Sequence, residues 1–132
     1  MTYDFELDSK RIIVFARVKS FTDDSRRIKL ILDTGASISV LDEGTITRLG
    51  FDFKKLDKGD RLATAGGNIN SKIIRLPKFS LFGKEITNFE MNVFSLPTQI
   101  SYFADGLIGM DFLLEFESIK FDFDKKVVEV GR

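Results

Sequence analysis

The chain has 132 residues, which is enough for one domain with a hydrophobic core and leaves little room for a second. Its 20 basic and 20 acidic residues give a net charge of zero, so the sequence offers no electrostatic attraction for nucleic acids or an anionic membrane. It contains neither Cys nor His, which excludes disulfides, thiol nucleophiles, Ser-His catalysis and most zinc sites.

The N-terminal segment bears on the expected location. Its first eight residues are acidic and lack the apolar region of a signal peptide. The longest apolar run, residues 12–16, is far too short to cross a bilayer. We therefore expect a cytoplasmic protein without a membrane partner, and one domain over residues 1–132.

Strand signals dominate the first half of the sequence. Apolar and β-branched runs at residues 11–19 and 27–32 flank a short polar loop, which predicts a hairpin. Alternation over residues 37–41 predicts a further strand. Asp42 is a good N-cap for a short helix that ends near Gly50.

The second half continues the pattern. Residues 60–76 predict two strands about the tight turn Gly66-Gly67-Asn68, and Pro77 is expected to end the second of them. A hairpin is predicted over residues 78–94, and an irregular stretch after Pro97.

The C-terminal part predicts a short helix over residues 110–116 and a last hairpin over residues 118–130. Phe116, Phe121 and Phe123 are interpreted as core residues. The two halves resemble each other faintly, since each has a hairpin, an apolar strand, a glycine-containing loop and a short helix.

The most informative segment is Leu30 to Ala36. Asp33 follows an apolar strand directly, where a buried scaffold meets an open site. Gly35 allows a tight turn and a close approach of substrate, and the Thr34 hydroxyl can lock the loop. The Ser37 hydroxyl can hydrogen bond to the carboxylate. The alternative is an ordinary turn after a strand, because Asp and Gly are turn residues.

The whole pattern resembles the retropepsin-like aspartic peptidases, from about residue 10 to residue 130. Three segments carry the resemblance in the right order: the apolar strand with Asp33-Thr34-Gly35-Ala36, the Gly66-Gly67 turn, and Leu107-Ile108-Gly109 before a short helix. The resemblance implies an all-β fold, a closed β-barrel of the retroviral aspartic protease type with one or two short helices. It also implies a homodimer that cleaves peptides or unfolded proteins.

The resemblance assigns roles to individual residues. Asp33 would be the catalytic carboxylate, Thr34 would tie the two catalytic loops together across the dimer axis, and Gly35 would present its backbone to substrate. Residues 65–68 would form a lid over the substrate. The lid comprises Ala65, Gly66, Gly67 and Asn68. The remaining substrate-binding residues are expected to be Ala36, Ser37, Ile38, Leu107 and Ile108.

The sequence departs from the retroviral pattern at Ser37 and Ile38, where retroviral enzymes usually carry carboxylates. The anchoring of the substrate backbone is therefore expected to differ. The spacing from Asp33 to Gly109 is also longer, which predicts insertions around the lid. The terminal strands that join viral dimers need not be used in the same way here.

Aspartic peptidase chemistry needs two carboxylates that share a proton, with no metal or cofactor. The chain has a single Asp-Thr-Gly, so a two-fold axis supplies the second copy of Asp33 most simply. The rival within one chain is Asp105, which lacks the preceding apolar strand and the Thr.

Two other functions stay open on the sequence, and a third feature is interpreted as structural. A peptide-binding module that does not cleave, or a structural assembly domain, fits the same fold. Asp122, Asp124 and Glu129 suggest a calcium site, but their spacing fails the EF-hand loop and favours a polar turn.

Overall fold

The computed structural model describes residues 1–64 and 67–131, and strands make up most of them. The strands, in chain order, are β1 (Thr2–Asp4), β2 (Glu6–Asp8), β3 (Arg11–Lys19), β4 (Ser25–Leu32), β5 (Val40–Asp42), β6 (Asp57–Thr64), β7 (Gly67–Leu81), β8 (Lys84–Phe94), β9 (Gly106–Ile108), β10 (Ser118–Asp122) and β11 (Val127–Gly131). The helices are α1 (Glu43–Arg48), α2 (Thr98–Ser101) and α3 (Met110–Leu113), with a 3-10 turn at Phe53–Lys55. No helix among the described residues is long and apolar enough to span a bilayer.

Eight strands form the main sheet in the order β2-β3-β4-β9-β5-β8-β7-β6, and β3 also pairs with β7 over two residue pairs. The short strand β9 lies between β4 and β5, parallel to β4 and antiparallel to β5. This arrangement places Leu32, the last residue of β4, beside Ile108, the last residue of β9. The two segments that carry the resemblance therefore lie side by side.

A second sheet contains β1, β11 and β10, in that order. β1 pairs antiparallel with β11 of the same chain, with Tyr3 opposite Val128. No strand was predicted in this acidic segment, so β1 and β2 are additions to the predicted elements. Their three-residue lengths explain the missing signal, because period-2 alternation needs four or more residues to be recognised.

Most predicted elements are confirmed. The hairpins β3–β4, β7–β8 and β10–β11 have the expected partners, and Asp42 caps α1 by accepting a hydrogen bond from the Gly44 N–H at 3.1 Å. α3 is shorter than predicted, and α2 lies in the stretch that was expected to be irregular.

The prediction that Pro77 ends a strand is wrong, because β7 runs through Pro77 to Leu81. The pairing of β7 with β8 joins Leu76 to Phe89 and Lys78 to Thr87, and skips the pair between them. Asn88, opposite Pro77, has a positive φ of 55°. The local irregularity accommodates a residue that has no N–H to donate.

The core is built on aromatic rings, as the abundance of Phe predicted. Phe79, Phe89, Phe112 and Phe116 form a chain of contacts with ring centroids 4.8–5.8 Å apart. Phe121 is partly buried, but the core assignment of Phe123 is wrong, since that residue is 58% exposed. Phe123 follows the last residue of β10, in the turn, and its ring contacts Phe5 at 6.1 Å and stacks on Phe121 at 6.2 Å from the surface side.

Candidate active site

The Asp33 loop is fixed by three backbone hydrogen bonds. The Asp33 N–H donates to the Ile108 carbonyl at 2.9 Å, so the loop begins in register with the end of β9. The Gly35 N–H donates to Asp33 Oδ1 at 2.9 Å, and the Ala36 N–H donates to the Asp33 carbonyl at 3.2 Å. These bonds orient the carboxylate at the end of a buried strand while Asp33 itself stays half-exposed.

The rest of the loop is tied to the turn after β9. The Met110 N–H donates to the Ala36 carbonyl at 2.8 Å, and the Asp111 N–H donates to the Ser37 carbonyl at 3.2 Å. The two segments therefore hold each other through backbone groups, which any side chain at these positions would allow.

A buried side-chain network strengthens this junction, and sequence reasoning missed it. Ser39 is completely buried; its hydroxyl donates to Asp111 Oδ1 at 2.6 Å and accepts from the Gly109 N–H at 2.9 Å. The Ser39 N–H donates to Asp111 Oδ2 at 2.9 Å. Because Ser39 serves this network, β5 begins at Val40 and not at residue 37 as predicted. A Ser within an apolar run was the available signal.

Two cavities, each of about 400 Å³, flank the Asp33 loop and share Leu107 as a wall. One contains Asp33 itself and is otherwise lined by Lys10, Arg11, Ile12, Ile31, Leu32, Ile100 and Leu107. The other is lined by Gly35, Ala36, Ser37, Ile38, Val40, Arg61, Leu62, Ala63, Phe94 and Leu107. The structure thus places four of the predicted substrate-binding residues at these cavities: Ala36, Ser37, Ile38 and Leu107.

The prediction that Ile108 lines the site is wrong for this conformation. Ile108 is completely buried in the main core, whereas its neighbour Leu107 is half-buried and faces both cavities. Successive side chains of a strand point to opposite faces, so Leu107 and Ile108 cannot both face the same site.

The predicted lid corresponds to the hairpin of β6 and β7. Thr64 pairs with Gly67 and Ala63 pairs with Asn68, and both Gly67 and Asn68 are exposed. Ala65 and Gly66 lie outside the described residues. The part of this hairpin that lines a cavity is Arg61, Leu62 and Ala63, which the sequence did not single out.

Asp105 does not join Asp33 within one chain. The Asp105 N–H donates to the carbonyl of Lys29, so Asp105 lies beside Lys29 of β4. Lys29 precedes Asp33 by four residues, which at 3.3 Å per residue separates the backbones of Asp105 and Asp33 by about 13 Å. Asp105 Oδ2 accepts from the Lys29 N–H at 2.8 Å, and its Oδ1 accepts from the Thr45 hydroxyl and the Arg48 guanidinium. The single-chain Asp33/Asp105 dyad is therefore wrong.

Of the suggested calcium residues, Asp122 and Asp124 lie at the β10–β11 turn, and Glu129 lies within β11. Asp122 Oδ1 accepts from the N–H groups of Asp124 and Lys125, which closes the β10–β11 hairpin. In the described part of the chain, no three carboxylates come together as potential metal ligands.

Comparisons with known proteins agree with this geometry. The sequence model of a family described as aspartyl protease matches residues 17–112. No curated protein matches the chain by sequence. Among solved structures, a retropepsin-like aspartic protease from Rickettsia conorii is 26% identical, with a TM-score of 0.72; the match covers 98% of this chain and 89% of that one.

Two more distant structures share the fold. The EIAV protease complexed with the inhibitor HBY-793 is 24% identical, with a TM-score of 0.61; the match covers 81% of this chain and 88% of that one. The retroviral protease-like domain of Ddi1 from Leishmania major is 20% identical, with a TM-score of 0.61, over 91% and 87% of the two chains. The chain has the retropepsin-like fold, mostly β with few short helices.

Proposed function

Because the chain belongs to the aspartyl protease family, as the resemblance predicted, we propose that it is an aspartic endopeptidase that acts as a homodimer. Two copies of Asp33, one from each subunit, share a proton and activate the water that attacks the peptide carbonyl. The placement of Asp33 supports this most strongly. Its carboxylate is oriented by the Gly35 N–H at the end of a buried strand and borders a cavity large enough for a side chain.

The need for a second copy follows from the chemistry. One carboxylate must take a proton from water while the other donates one to the carbonyl oxygen. Asp105, the rival within the chain, is held by Lys29, Thr45 and Arg48. A two-fold axis beside the Asp33 loop brings the carboxylate against its own copy.

The exposed part of the loop suits a dimer contact. Thr34 and Gly35 are both exposed in the single chain, although the loop that carries them is tightly bonded at Asp33 and Ala36. In the proposed dimer Thr34 exchanges hydrogen bonds with the partner's loop, and Gly35 presents its backbone to the substrate.

Substrate lies across the two cavities beside the loop. Ala36, Ile38 and Leu107 supply apolar walls and Ser37 supplies a hydroxyl. Residues 65–68, at the tip of the β6–β7 hairpin, act as a lid that excludes water from the bound peptide. The pairing of β3 with β7 supports the further proposal that the main sheet closes into a barrel.

The test is turnover of an unfolded protein by the purified chain. The Asp33→Asn variant keeps the shape of the side chain and removes its acid–base function, so we expect a loss of at least about 10²–10⁴-fold in rate with little change in Tm. The matched control is Asp124→Asn, the same substitution at an exposed carboxylate in the β10–β11 turn, which should keep full activity.

Two results would overturn the proposal. One is wild-type protein that binds unfolded polypeptide but never cleaves it, which would identify a peptide-binding module. The other is an Asp33→Asn variant as active as Asp124→Asn, which would place the chemistry elsewhere.

A further inference from the structure

The two cavities beside Asp33 are bordered by basic side chains. Lys10 and Arg11 line the cavity that contains Asp33, and Arg61 lines the other. Among the described residues that line either cavity, Asp33 is the only acidic one. The site therefore has a local excess of positive charge in a chain whose net charge is zero.

None of these three bases forms an ion pair with a carboxylate that the structure describes. Among the side chains that the structure describes, Arg26, Arg48, Arg75 and Lys84 form ion pairs, whereas Lys10, Arg11 and Arg61 do not. Lys10 and Arg61 are exposed, and the half-buried Arg11 places its guanidinium 5.0 Å from the centre of the Phe103 ring. A ring face holds a guanidinium in place without neutralising its charge.

One carboxylate lies near Arg11 and weakens its field. Asp8 is opposite Arg11 in the β2–β3 register, so the two side chains are on the same face. Asp8 accepts a hydrogen bond from the Ser9 hydroxyl at 3.2 Å and does not line the cavity. It moderates the charge of Arg11 from outside the site.

The remaining lining is largely apolar. Ile12, Leu32, Ile100 and Leu107 border the first cavity, and Val40, Leu62 and Phe94 border the second. An apolar interior suits the side chains at the cleaved bond, while charge at the border acts on residues further along the peptide. In a symmetric dimer each subunit contributes the same set, so both halves of the substrate meet basic residues.

We propose that the preferred substrates are peptides with apolar side chains at the cleaved bond and Asp or Glu within a few residues on either side. This inference rests on the proposed function, because it assigns the substrate class of the same site. The bases attract acidic peptides and strengthen their encounter with the site. Each exposed pair contributes little alone, so the preference comes from several charges acting together.

The experiment uses octapeptides with a central Phe-Leu pair, flanked by Glu, by Gln or by Lys. We expect kcat/KM for the Glu peptide to exceed that for the Gln peptide by about threefold to tenfold, and the Lys peptide to be cleaved more slowly than both. Raising the salt concentration to about 1 M shortens the screening length to about 3 Å and should remove most of the difference.

Matched variants separate the site from general surface charge. Arg11→Gln and Arg61→Gln should each reduce the Glu-over-Gln ratio. Arg17→Gln, the same change at an exposed position six residues along β3 that borders neither cavity, should leave the ratio unchanged. Asp8→Asn should raise the ratio, because it removes the carboxylate opposite Arg11.

The outcomes distinguish the two proposals. Equal kcat/KM for the Glu and Gln peptides overturns this inference and leaves the peptidase assignment intact. If no peptide is cleaved, the peptidase assignment fails, and fluorescence anisotropy of the same peptides on the wild-type protein decides the inference. Tighter binding of the Glu peptide at low salt supports it, and equal affinities overturn it.

Discussion

Asp33 and Asp105 are two carboxylates on neighbouring parallel strands, and they are used in opposite ways. Asp33 follows the end of β4, where a single N–H, that of Gly35, donates to its side chain. Asp105 precedes the start of β9, where the Lys29 N–H, the Thr45 hydroxyl and the Arg48 guanidinium all donate to it. The difference lies in the number of donors and not in the residue type.

This contrast explains why one position is suited to chemistry and the other to structure. A carboxylate has about four acceptor sites, so three donors leave Asp105 little capacity for a water or a substrate. Asp33 keeps most of its acceptor capacity and borders a cavity. The same reasoning places Asp111 with the structural carboxylates, since Ser39 and the Phe112 N–H donate to it.

The largest loss is expected from separating β9, the strand that follows Asp105, from its other neighbour β5. A Cβ at Gly106 would lie 2.0 Å from the Val40 carbonyl oxygen, which belongs to the backbone of β5 and cannot turn aside. We expect Gly106→Ala to lower the free energy of unfolding by about 3 kcal/mol or more. Urea denaturation measures this loss.

Gly44→Ala is the control, because the atoms nearest to its Cβ belong to side chains and Ala favours the helix. Equal losses of unfolding free energy in Gly106→Ala and Gly44→Ala would contradict this explanation.

The structural role of Asp105 predicts the reverse of the Asp33→Asn result. Asp105→Asn replaces one acceptor oxygen with a donor, so part of the network with Lys29, Thr45 and Arg48 is left without a partner. We expect a loss of about 1–3 kcal/mol in the free energy of unfolding, with kcat per folded molecule retained. Thermal denaturation and active-site titration measure the two quantities. A stable but inactive Asp105→Asn variant would mean that Asp105 takes part in the chemistry.

The β6–β7 hairpin differs from the segments around Asp33 and Asp105 in the space around its turn. Gly67 has a φ of 110°, and beyond its chain neighbours no described atom lies within 4 Å of the position where its Cβ would be. Gly67→Val is strained by its backbone alone, at a cost of about 1–3 kcal/mol that falls on the hairpin conformation. We expect kcat/KM to fall about tenfold with a small change in Tm. Asn70→Val is the control, because Asn70 lies on the same strand and has no positive φ. A large loss of Tm in Gly67→Val, but not in Asn70→Val, would mean that this turn belongs to the structural framework.

The smallest effect is expected at Asp24, an exposed carboxylate in the β3–β4 turn. Hydrogen bonds from the Ser20 hydroxyl, the Arg26 guanidinium and the Thr22 hydroxyl hold the pKa of Asp24 well below its usual range. A lowered pKa contributes stability above about pH 4, and this contribution is lost as the pH falls through the lowered value. Asp24→Asn should therefore lower Tm slightly at pH 7 and by less at pH 3. A difference that grows toward low pH would contradict this reading.

Much of the fold could be predicted because its signals are local. Alternating runs gave the three hairpins, Asp42 gave the start of α1, and Asp33-Thr34-Gly35 after an apolar strand gave the loop that borders the cavities.

The rest depends on partners distant in the sequence. Ser39 and Asp111 are 72 residues apart, and nothing near either residue indicates the other. Arg11 and Arg61 border different cavities beside the Asp33 loop, and only the fold brings these two residues, 50 positions apart in the sequence, to the same site. Ile108 was assigned to the site because it belongs to the Leu107-Ile108-Gly109 segment. Because side chains alternate along a strand, the Ile108 side chain points into the core when that of Leu107 points to the site.

Subunit mixing tests whether the active site needs Asp33 from two chains. Wild-type protein and inactive Asp33→Asn variant are unfolded together in equal amounts, refolded, and assayed against the same quantity of wild type refolded alone. If each active site needs two Asp33 carboxylates, half of the wild-type subunits pair with variant, and activity falls to about half. Activity that stays unchanged or rises, in a mixture that sedimentation shows to contain mixed dimers, would mean that a single Asp33 is sufficient.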